Sequence, residues 1–395
     1  MSTYVDQDKP KYANDLGILF FVTFIPWVVF VNLYSITEFQ YSIDANVVSM
    51  ILKITPFILL LREFINNKYS VREIIGYIVL VFMWITCIRS SNGLTVFDGL
   101  LFAFSARNLK FRHIIFTFFI TGSILFIFTL GASYFQKIPD LIYINNGVKV
   151  RHSLGYTYTS FSSQVFFYLS CTYVFLRNKK ISFAEGIIIE LISIVLFLKT
   201  ETRNPFLVTT LLVMFTLLIR YTNKDWKIIK KISIWIFPFL GIFSIIASYL
   251  FNPSSRMFSL LNTILSNRLE LSNNALNQYG YAIFGQKIVI NGVGYMGTYS
   301  KNYNVIDSSY VMNYVLRGPL FLMLILALFF LLLRKLCKSQ YETSSYLILI
   351  LVLMAMHSTL DPQLLSLWYN PFFLAIGYVF RRDFNLTNDA LYLLK

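Results

Sequence analysis

The sequence predicts an all-α polytopic membrane protein, and three observations support that fold class. Of the 395 residues, 56% are hydrophobic and only 13% are charged, whereas soluble domains carry about 25% charged residues. The mean hydropathy is +0.62, and apolar runs recur along the chain. A water-soluble fold could not bury this much apolar surface, but membrane helices turn it towards lipid.

A membrane-spanning helix needs about 20 mostly apolar residues. We predict about twelve such segments, in a single polytopic domain that covers residues 1–395. The second and fourth segments are short, so either could be re-entrant. The predicted spans are 16–34, 47–61, 74–92, 94–106, 112–134, 160–177, 183–199, 204–221, 231–251, 308–333, 344–360 and 364–380.

The distribution of Lys and Arg predicts how these helices are oriented. With the N-terminus in the cytoplasm, basic residues recur in every segment on the cytoplasmic side, which satisfies the positive-inside rule. Both termini are then cytoplasmic. The net charge of +15 follows from this pattern and does not indicate nucleic-acid binding, because the basic residues lie in short clusters between apolar runs.

Two larger outer loops remain, at residues 135–159 and 252–307. A loop as long as the second is usually functional or disordered. Its segment Phe258–Leu271 has apolar residues at helical spacing, which predicts an amphipathic helix lying on the outer surface of the membrane.

Basic residues on the outer side oppose the positive-inside bias, so each of them requires an explanation. Arg151 and His152 precede the sixth predicted helix, and Arg203 lies in the turn before the eighth. A guanidinium can bind a phosphate through two hydrogen bonds, and a helix N-terminus favours anions. The alternatives are interfacial snorkelling for Arg151 and pairing with Glu201 for Arg203.

The second outer loop and the end of the eleventh helix supply further candidates. Arg268 lies in the predicted surface helix, and Asp307 closes the loop just before Tyr310. Capping of the next helix would equally explain Asp307. His357 and Asp361 are four residues apart, so on a continuous helix they would share one face and could accept a proton. A cluster at a helix end is the alternative for this pair.

No cofactor or metal is expected from the sequence. It has no metal-ligand spacing and no glycine-rich phosphate-binding loop. The three cysteines do not form a disulfide framework.

Several short segments resemble Wzy-type oligosaccharide repeat-unit polymerases, which build O-antigen, capsular and exopolysaccharides, and more distantly the O-antigen ligases. Many relatives have a Gly after the arginine where this chain has Asn204, and often a Glu at the position of Asp361. The matching segments are Arg151–Tyr156 in the first loop, Thr202–Asn204 before a helix, Asn267–Leu269 and Phe284–Gly285 in the long loop, Ile306, Asp307 and Tyr310 at its exit, and His357, Asp361 and Tyr369–Phe372 near the end of the chain.

The resemblance implies a multi-pass enzyme of the bacterial cytoplasmic (inner) membrane, with its active site on the outer face. It would polymerise repeat units carried on undecaprenyl pyrophosphate by metal-independent glycosyl transfer. His357, oriented by Asp361, would be the base, and flippase and chain-length regulator proteins would be partners. The residues expected to bind pyrophosphate or glycan are Arg151, His152, Arg203, Arg268, Asp307 and Tyr310.

Three alternatives remain open. A ligase would transfer a finished glycan to another acceptor, and its sequence would look much the same. A polysaccharide transporter or flippase would place charged residues along a path through the middle of the membrane. A structural membrane subunit would have no cluster of Arg and His on the outer side.

Overall fold

The computed structural model describes residues 13–65, 69–145, 149–222, 227–292, 303–339 and 342–381. The two termini, for which we predict a cytoplasmic location, lie outside the described residues. The α-helices are α1 Ala13–Ile36, α2 Ala45–Ile65, α3 Val71–Ile88, α4 Gly93–Ala106, α5 Phe111–Tyr134, α6 Phe161–Arg177, α7 Phe183–Thr200, α8 Arg203–Tyr221, α9 Lys227–Ser233, α10 Ile236–Tyr249, α11 Arg256–Ile264, α12 Arg268–Tyr279, α13 Ser309–Arg317, α14 Pro319–Lys338 and α15 Glu342–His357.

The remaining regular structure is short. Within the described ranges, three 3₁₀-helices lie at Glu38–Tyr41, Asn178–Lys180 and Phe372–Phe380. Strands β1, Ile142–Asn145, and β2, Lys149–His152, pair antiparallel in the first predicted outer loop. The hydropathy pattern did not predict this hairpin.

Helices suited to a membrane dominate the fold. Among the described residues, five are long and apolar enough to cross a bilayer, and less than half of each is buried inside the protein. The rest of their apolar surface is therefore available to lipid. The chain is thus an all-α membrane protein. The five helices are Gly17–Ile36, Val71–Ile88, Phe111–Tyr134, Arg203–Tyr221 and Pro319–Lys338.

Three of the predicted spans differ from the structure. The ninth, predicted over residues 231–251, contains the end of α9 and the whole of α10, with a turn at 234–235 between them. The tenth is divided into α13 and α14 at Gly318, whose φ is +92°. The twelfth, predicted as a helix over residues 364–380, is a series of turns followed by the 3₁₀-helix Phe372–Phe380. The side chain of Asn370 replaces helical hydrogen bonds there, because its amide donates to Leu364 O at 2.8 Å and its oxygen accepts from Phe372 N at 3.0 Å.

The centre of the bundle is α4, which is buried on nearly all sides and packs against the final 3₁₀-helix. The contact is close enough to require glycine, since a Cβ at Gly377 would lie 1.6 Å from Ala103 O. On the other side of α4, the ring of Phe102 meets Phe20 and Phe24 of α1 edge-on at 5.5 and 5.4 Å. This aromatic packing holds the first and last parts of the chain together.

One end of the bundle contains a buried ion-pair network. Arg107 Nη2 lies 2.6 Å from Glu63 Oε2, and Arg107 Nε lies 3.1 Å from Glu73 Oε1. Arg62 pairs with Glu63 at 3.1 Å, and Glu73 also forms a capping box with Ser70 at the start of α3. Because each buried charge has a partner of opposite sign, the network avoids the cost of an isolated ion.

The opposite end of the bundle is formed by the two larger loops, which are predicted to lie on the outer side. We call it the loop end. Here Thr157 N donates to Ile36 O at 3.0 Å, and Arg151 Nε donates to Thr200 O at 2.9 Å. Ser309 Oγ donates to Asp361 O at 2.6 Å. The ends of α1 and α7 therefore meet the first predicted outer loop at this end, and the start of α13 meets the turn after α15.

The sequence predicts one amphipathic helix over Phe258–Leu271. This prediction is wrong about the number of helices, because the structure has two there. α11 ends at Ile264 and α12 begins at Arg268. Between them Ser266 and Asn267 adopt left-handed backbone conformations, with φ of +54° and +63°, which a continuous helix cannot contain. α11 keeps its amphipathic character, since Met257, Leu260 and Ile264 are exposed along one face.

Candidate functional site

A cavity of about 550 Å³ opens at the loop end. Its lining comes from the first outer loop, the turn between α7 and α8, and the long second loop. These three segments are far apart in the sequence, so the fold is required to bring them together. Polar lining residues include Arg151, Glu201, Arg203, Asn204, Arg268 and Asp307.

Arg151 reaches the cavity from strand β2. Its Nε donates to Thr200 O at 2.9 Å, and its guanidinium carbon lies 6.0 Å from the centre of the Tyr158 ring. The hydrogen bond to the end of α7 fixes the side chain through one nitrogen. Its two terminal nitrogens make no hydrogen bond to the described residues and can bind a ligand.

Arg203 is the first residue of α8, which begins one residue before the predicted span 204–221. Its side chain is exposed, and it makes no side-chain hydrogen bond or ion pair to the part of the chain that the structure describes. The N-cap Thr202 does not cap the helix with its side chain. The free amides and positive dipole end of α8 therefore favour an anion in the same place as the guanidinium does.

Arg268 is the first residue of α12, directly after the left-handed break. Its Nε lies 3.5 Å from Asp307 Oδ2, and its Nη2 lies 3.3 Å from Asp361 Oδ1. Burial lowers the pKa of Arg268, but the two aspartates raise it by more, so the pKa lies above its ordinary value. The guanidinium is therefore a fixed positive charge in the cavity wall.

Asp361 is buried directly behind that wall and receives donors from several elements. Besides Arg268, its Oδ1 accepts from Gln164 Nε2 of α6 at 2.7 Å, and its Oδ2 accepts from Asn204 Nδ2 of α8. Gln363 in turn donates to Gln164 at 2.8 Å. With its oxygens occupied in this way, Asp361 positions Arg268 and ties α6, α8 and α12 to the end of α15.

His357 lies deeper and does not line the cavity. It is fully buried, with Phe167 and Tyr168 rings 5.0 and 5.6 Å from its own. Its Nδ1 is 3.5 Å from Asp361 Oδ2, beyond a good hydrogen bond, and 2.9 Å from Asn204 Nδ2. The pair predicted from spacing is therefore bridged by an amide.

The contact with Asn204 also bears on the tautomer of His357. A carboxylate only accepts hydrogen bonds, so the contact with Asp361 places the Asn204 amide nitrogen on that side. The same nitrogen then donates to His357 Nδ1. In that assignment a neutral imidazole would carry its proton on Nε2, which is buried and makes no hydrogen bond to the described residues.

Asp307 is the acid that faces the cavity beside Arg268. Its side chain is 22% exposed, and burial raises its pKa to about 6, against the lowering effect of Arg268. Ser308, not Asp307, is the N-cap of α13, and its hydroxyl makes no capping hydrogen bond. Capping therefore does not account for Asp307.

Two of the predicted binding residues lie away from the cavity. His152 points to Asp140, with Nδ1 2.6 Å from Oδ2, where it closes the turn before the hairpin. Tyr310 is fully buried, and its hydroxyl donates to Ala355 O at 3.0 Å. Both have structural contacts here and neither lines the cavity.

The sequence prediction missed Asn204 and Gln164 as parts of the site. The sequence marks Asn204 only as the residue that stands where many relatives of the resembled family have a glycine. It gives no such indication for Gln164. Both are uncharged, so charge patterning could not select them. The available signal was an amide side chain within a predicted membrane span, as Gln164 is in α6, because a buried amide requires partners.

The described residues contain no group of three or more His, Cys, Asp and Glu side chains arranged to hold a metal ion. No family model, curated protein or solved structure matches this chain.

Proposed function

We propose that this chain polymerises oligosaccharide repeat units carried on undecaprenyl pyrophosphate. It would be a multi-pass protein of the bacterial cytoplasmic membrane with about twelve spans, both termini inside and the loop end outside. The observation that carries the proposal is the meeting of Arg151, Arg203 and Arg268 on one cavity. Three guanidiniums beside two helix N-termini form a site for a pyrophosphate.

The arginines have a direct role in the proposed reaction. The acceptor is one lipid-linked repeat unit, and the donor is a growing chain on a second lipid pyrophosphate. A sugar hydroxyl of the acceptor attacks the anomeric carbon of the donor, and the bond from that carbon to the pyrophosphate oxygen breaks. The departing pyrophosphate takes the electron pair, and fixed positive charges stabilise it most at that moment.

The attacking hydroxyl must lose its proton, and Asp307 is a better acceptor than His357. Asp307 faces the cavity, whereas His357 is buried and its Nδ1 accepts from Asn204. A carboxylate with a pKa of about 6 is ionised at neutral pH and still basic enough to take up a proton. The proton goes to Asp307, while Asp361 and Asn204 hold the neighbouring groups in place.

A second candidate function is a ligase that transfers finished glycan, since the same site would perform the same bond exchange. A flippase is less well supported, because the three arginines that line the cavity lie together at one end of the bundle. At the other end Arg62 and Arg107 are buried in ion pairs with Glu63 and Glu73.

Surface glycan from a deletion strain, separated on a gel, distinguishes these functions. A polymerase predicts single repeats on the surface, a ligase predicts lipid-linked polymer that never reaches its acceptor, and a flippase predicts no exported glycan. Complementation with Arg203→Ala or Arg151→Ala should leave single repeats only. Arg256→Ala, an exposed arginine of α11 outside the cavity lining, is the matched control and should restore long chains.

A further inference from the structure

A second cavity, an apolar groove of about 380 Å³, lies between α8, α9 and α15. α8 contributes Leu211, Phe215 and Ile219, which recur every four residues and so form one stripe along the helix. α15 faces them with a stripe that ends at Met356. The lining is almost entirely apolar, and its one charged residue, Lys230, lies on α9 at the end of the groove away from the arginine cavity.

The groove continues the line of the arginine cavity. Leu207, one helical turn before Leu211, lines the cavity. On α15, Met356 at the upper end of the groove directly precedes buried His357, and Leu360 again lines the cavity. From Leu207 to Ile219 the stripe runs about 18 Å, at 1.5 Å per residue.

The far end of the groove is bounded by α9. Ile229 and Ser233 line this end. The Ser233 hydroxyl donates to Lys230 O at 2.7 Å, and the Cys337 thiol of α14 donates to the same carbonyl at 2.9 Å. The thiol contact joins α9 to α14, and α9 closes this end of the groove.

We propose that this groove binds the isoprenoid chain of the lipid whose pyrophosphate lies in the arginine cavity, and that it contacts only the part of the chain nearest the pyrophosphate. The inference rests on the proposed function. A branched hydrocarbon chain attached to a pyrophosphate needs an apolar path that starts beside the anion site, and the stripe from Leu207 to Ile219 provides one. Chain beyond the α9 boundary would lie in the bilayer.

The test measures binding of isoprenyl pyrophosphates of increasing chain length, and of inorganic pyrophosphate, to the protein in lipid nanodiscs. Wild-type affinity should rise with chain length and then level off. Leu211→Trp fills the groove near the cavity and should remove the rise, at about fourfold in affinity for each methylene excluded. Its affinity for inorganic pyrophosphate should not change.

Two further variants guard against damage to the fold. Ile219→Trp, at the far end, should move the plateau to shorter chains and leave the affinity for short chains unchanged. Met214→Trp lies on an exposed part of α8 outside the groove and should behave like wild type.

The outcomes distinguish failure of the groove proposal from failure of the proposed function. Equal chain-length dependence in Leu211→Trp and Met214→Trp, with pyrophosphate still bound, would overturn the groove alone. A phospholipid that Leu211→Trp displaces while the chain-length dependence persists would assign the groove to a membrane lipid instead. Failure of the wild type to bind pyrophosphate or any isoprenyl pyrophosphate would overturn both proposals.

Discussion

Arg268 and Asp361 form a two-pronged ion pair, in which Nη1 and Nη2 each lie 3.3 Å from one carboxylate oxygen. The pair joins the long second loop to the turn after α15. Asp361 is 2% exposed and the Arg268 side chain 18%, so the contact is largely shielded from water. The cavity therefore depends on this pair for the position of one of its three arginines.

Asp361→Ala should destabilise the protein by about 3–5 kcal/mol, because it leaves a partly buried guanidinium without its main partner. Arg268→Ala should cost less when Asp361 is already absent than when it is present, with a coupling of about 0.5–3 kcal/mol. Unfolding of the four proteins in detergent measures this cycle. Additive effects would show that the pair does not support the cavity.

The pKa of Asp307, raised to about 6, gives a pH prediction with opposite signs for activity and stability. Glycosyl transfer should fall as the pH drops through about 6, because the protonated carboxyl cannot accept a proton. Stability should change the other way. A carboxyl whose pKa is higher in the folded than in the unfolded state favours folding below the unfolded value and loses that contribution as the pH rises through the folded one.

The matched variant for this prediction is Asp307→Asn. Its transfer rate should be at least about 100-fold lower than that of wild type at pH 7.5, and the stability difference between the two proteins should vanish below about pH 4. Binding of pyrophosphate should remain. A wild-type rate profile that is flat between pH 5 and 8, or an Asn variant with full activity, would remove Asp307 as the base.

The break between α11 and α12 should be sensitive to the residue at position 267. Asn267 has φ +63°, a conformation that Asn and Gly tolerate and β-branched residues do not. Asn267→Val should therefore cost about 1–2 kcal/mol and displace Arg268, which lowers activity. Asn267→Gly should be close to wild type in both thermal unfolding and transfer, and similar losses in the two variants would rule out the backbone explanation.

The ion-pair network at the other end should affect stability without affecting the chemistry. Arg107→Ala leaves Glu63 and Glu73 buried without their shared partner and should cost about 3–5 kcal/mol. The fraction that still folds should retain wild-type affinity for pyrophosphate, since Arg107 does not line the cavity. A change in that affinity would indicate coupling between the two ends of the bundle.

Hydropathy predicted the helices because it is a local property. The span predicted at 112–134, for example, is α5 at Phe111–Tyr134. Hydropathy failed for residues 364–380. A fully buried apolar run has the same hydropathy whether its backbone groups form helical hydrogen bonds or bond to the side chain of Asn370. The break at Asn267 likewise lies within a pattern whose apolar spacing is helical.

The site could be predicted only in part, because sequence patterns report local properties of the chain. Arg151, Arg203 and Arg268 could be found because basic residues are unusual on the side of the membrane that the charge pattern predicts to be outer. The spacing of His357 and Asp361 correctly indicated that the two side chains lie close together. They are bridged by Asn204 of α8, however, and do not bond directly. Contacts between distant segments leave no local pattern, so neither the amide bridge nor the burial of His357 could be read from the sequence.

Reconstitution of the purified protein with a single lipid-pyrophosphate-linked repeat unit tests the central claim most directly. The measured quantities are glycan chain length and released polyprenyl pyrophosphate. We expect a ladder of products with one lipid pyrophosphate released for each bond formed, and neither product from Arg203→Ala. Absence of any chain longer than one repeat, with wild-type protein that binds the substrate, would contradict the claim.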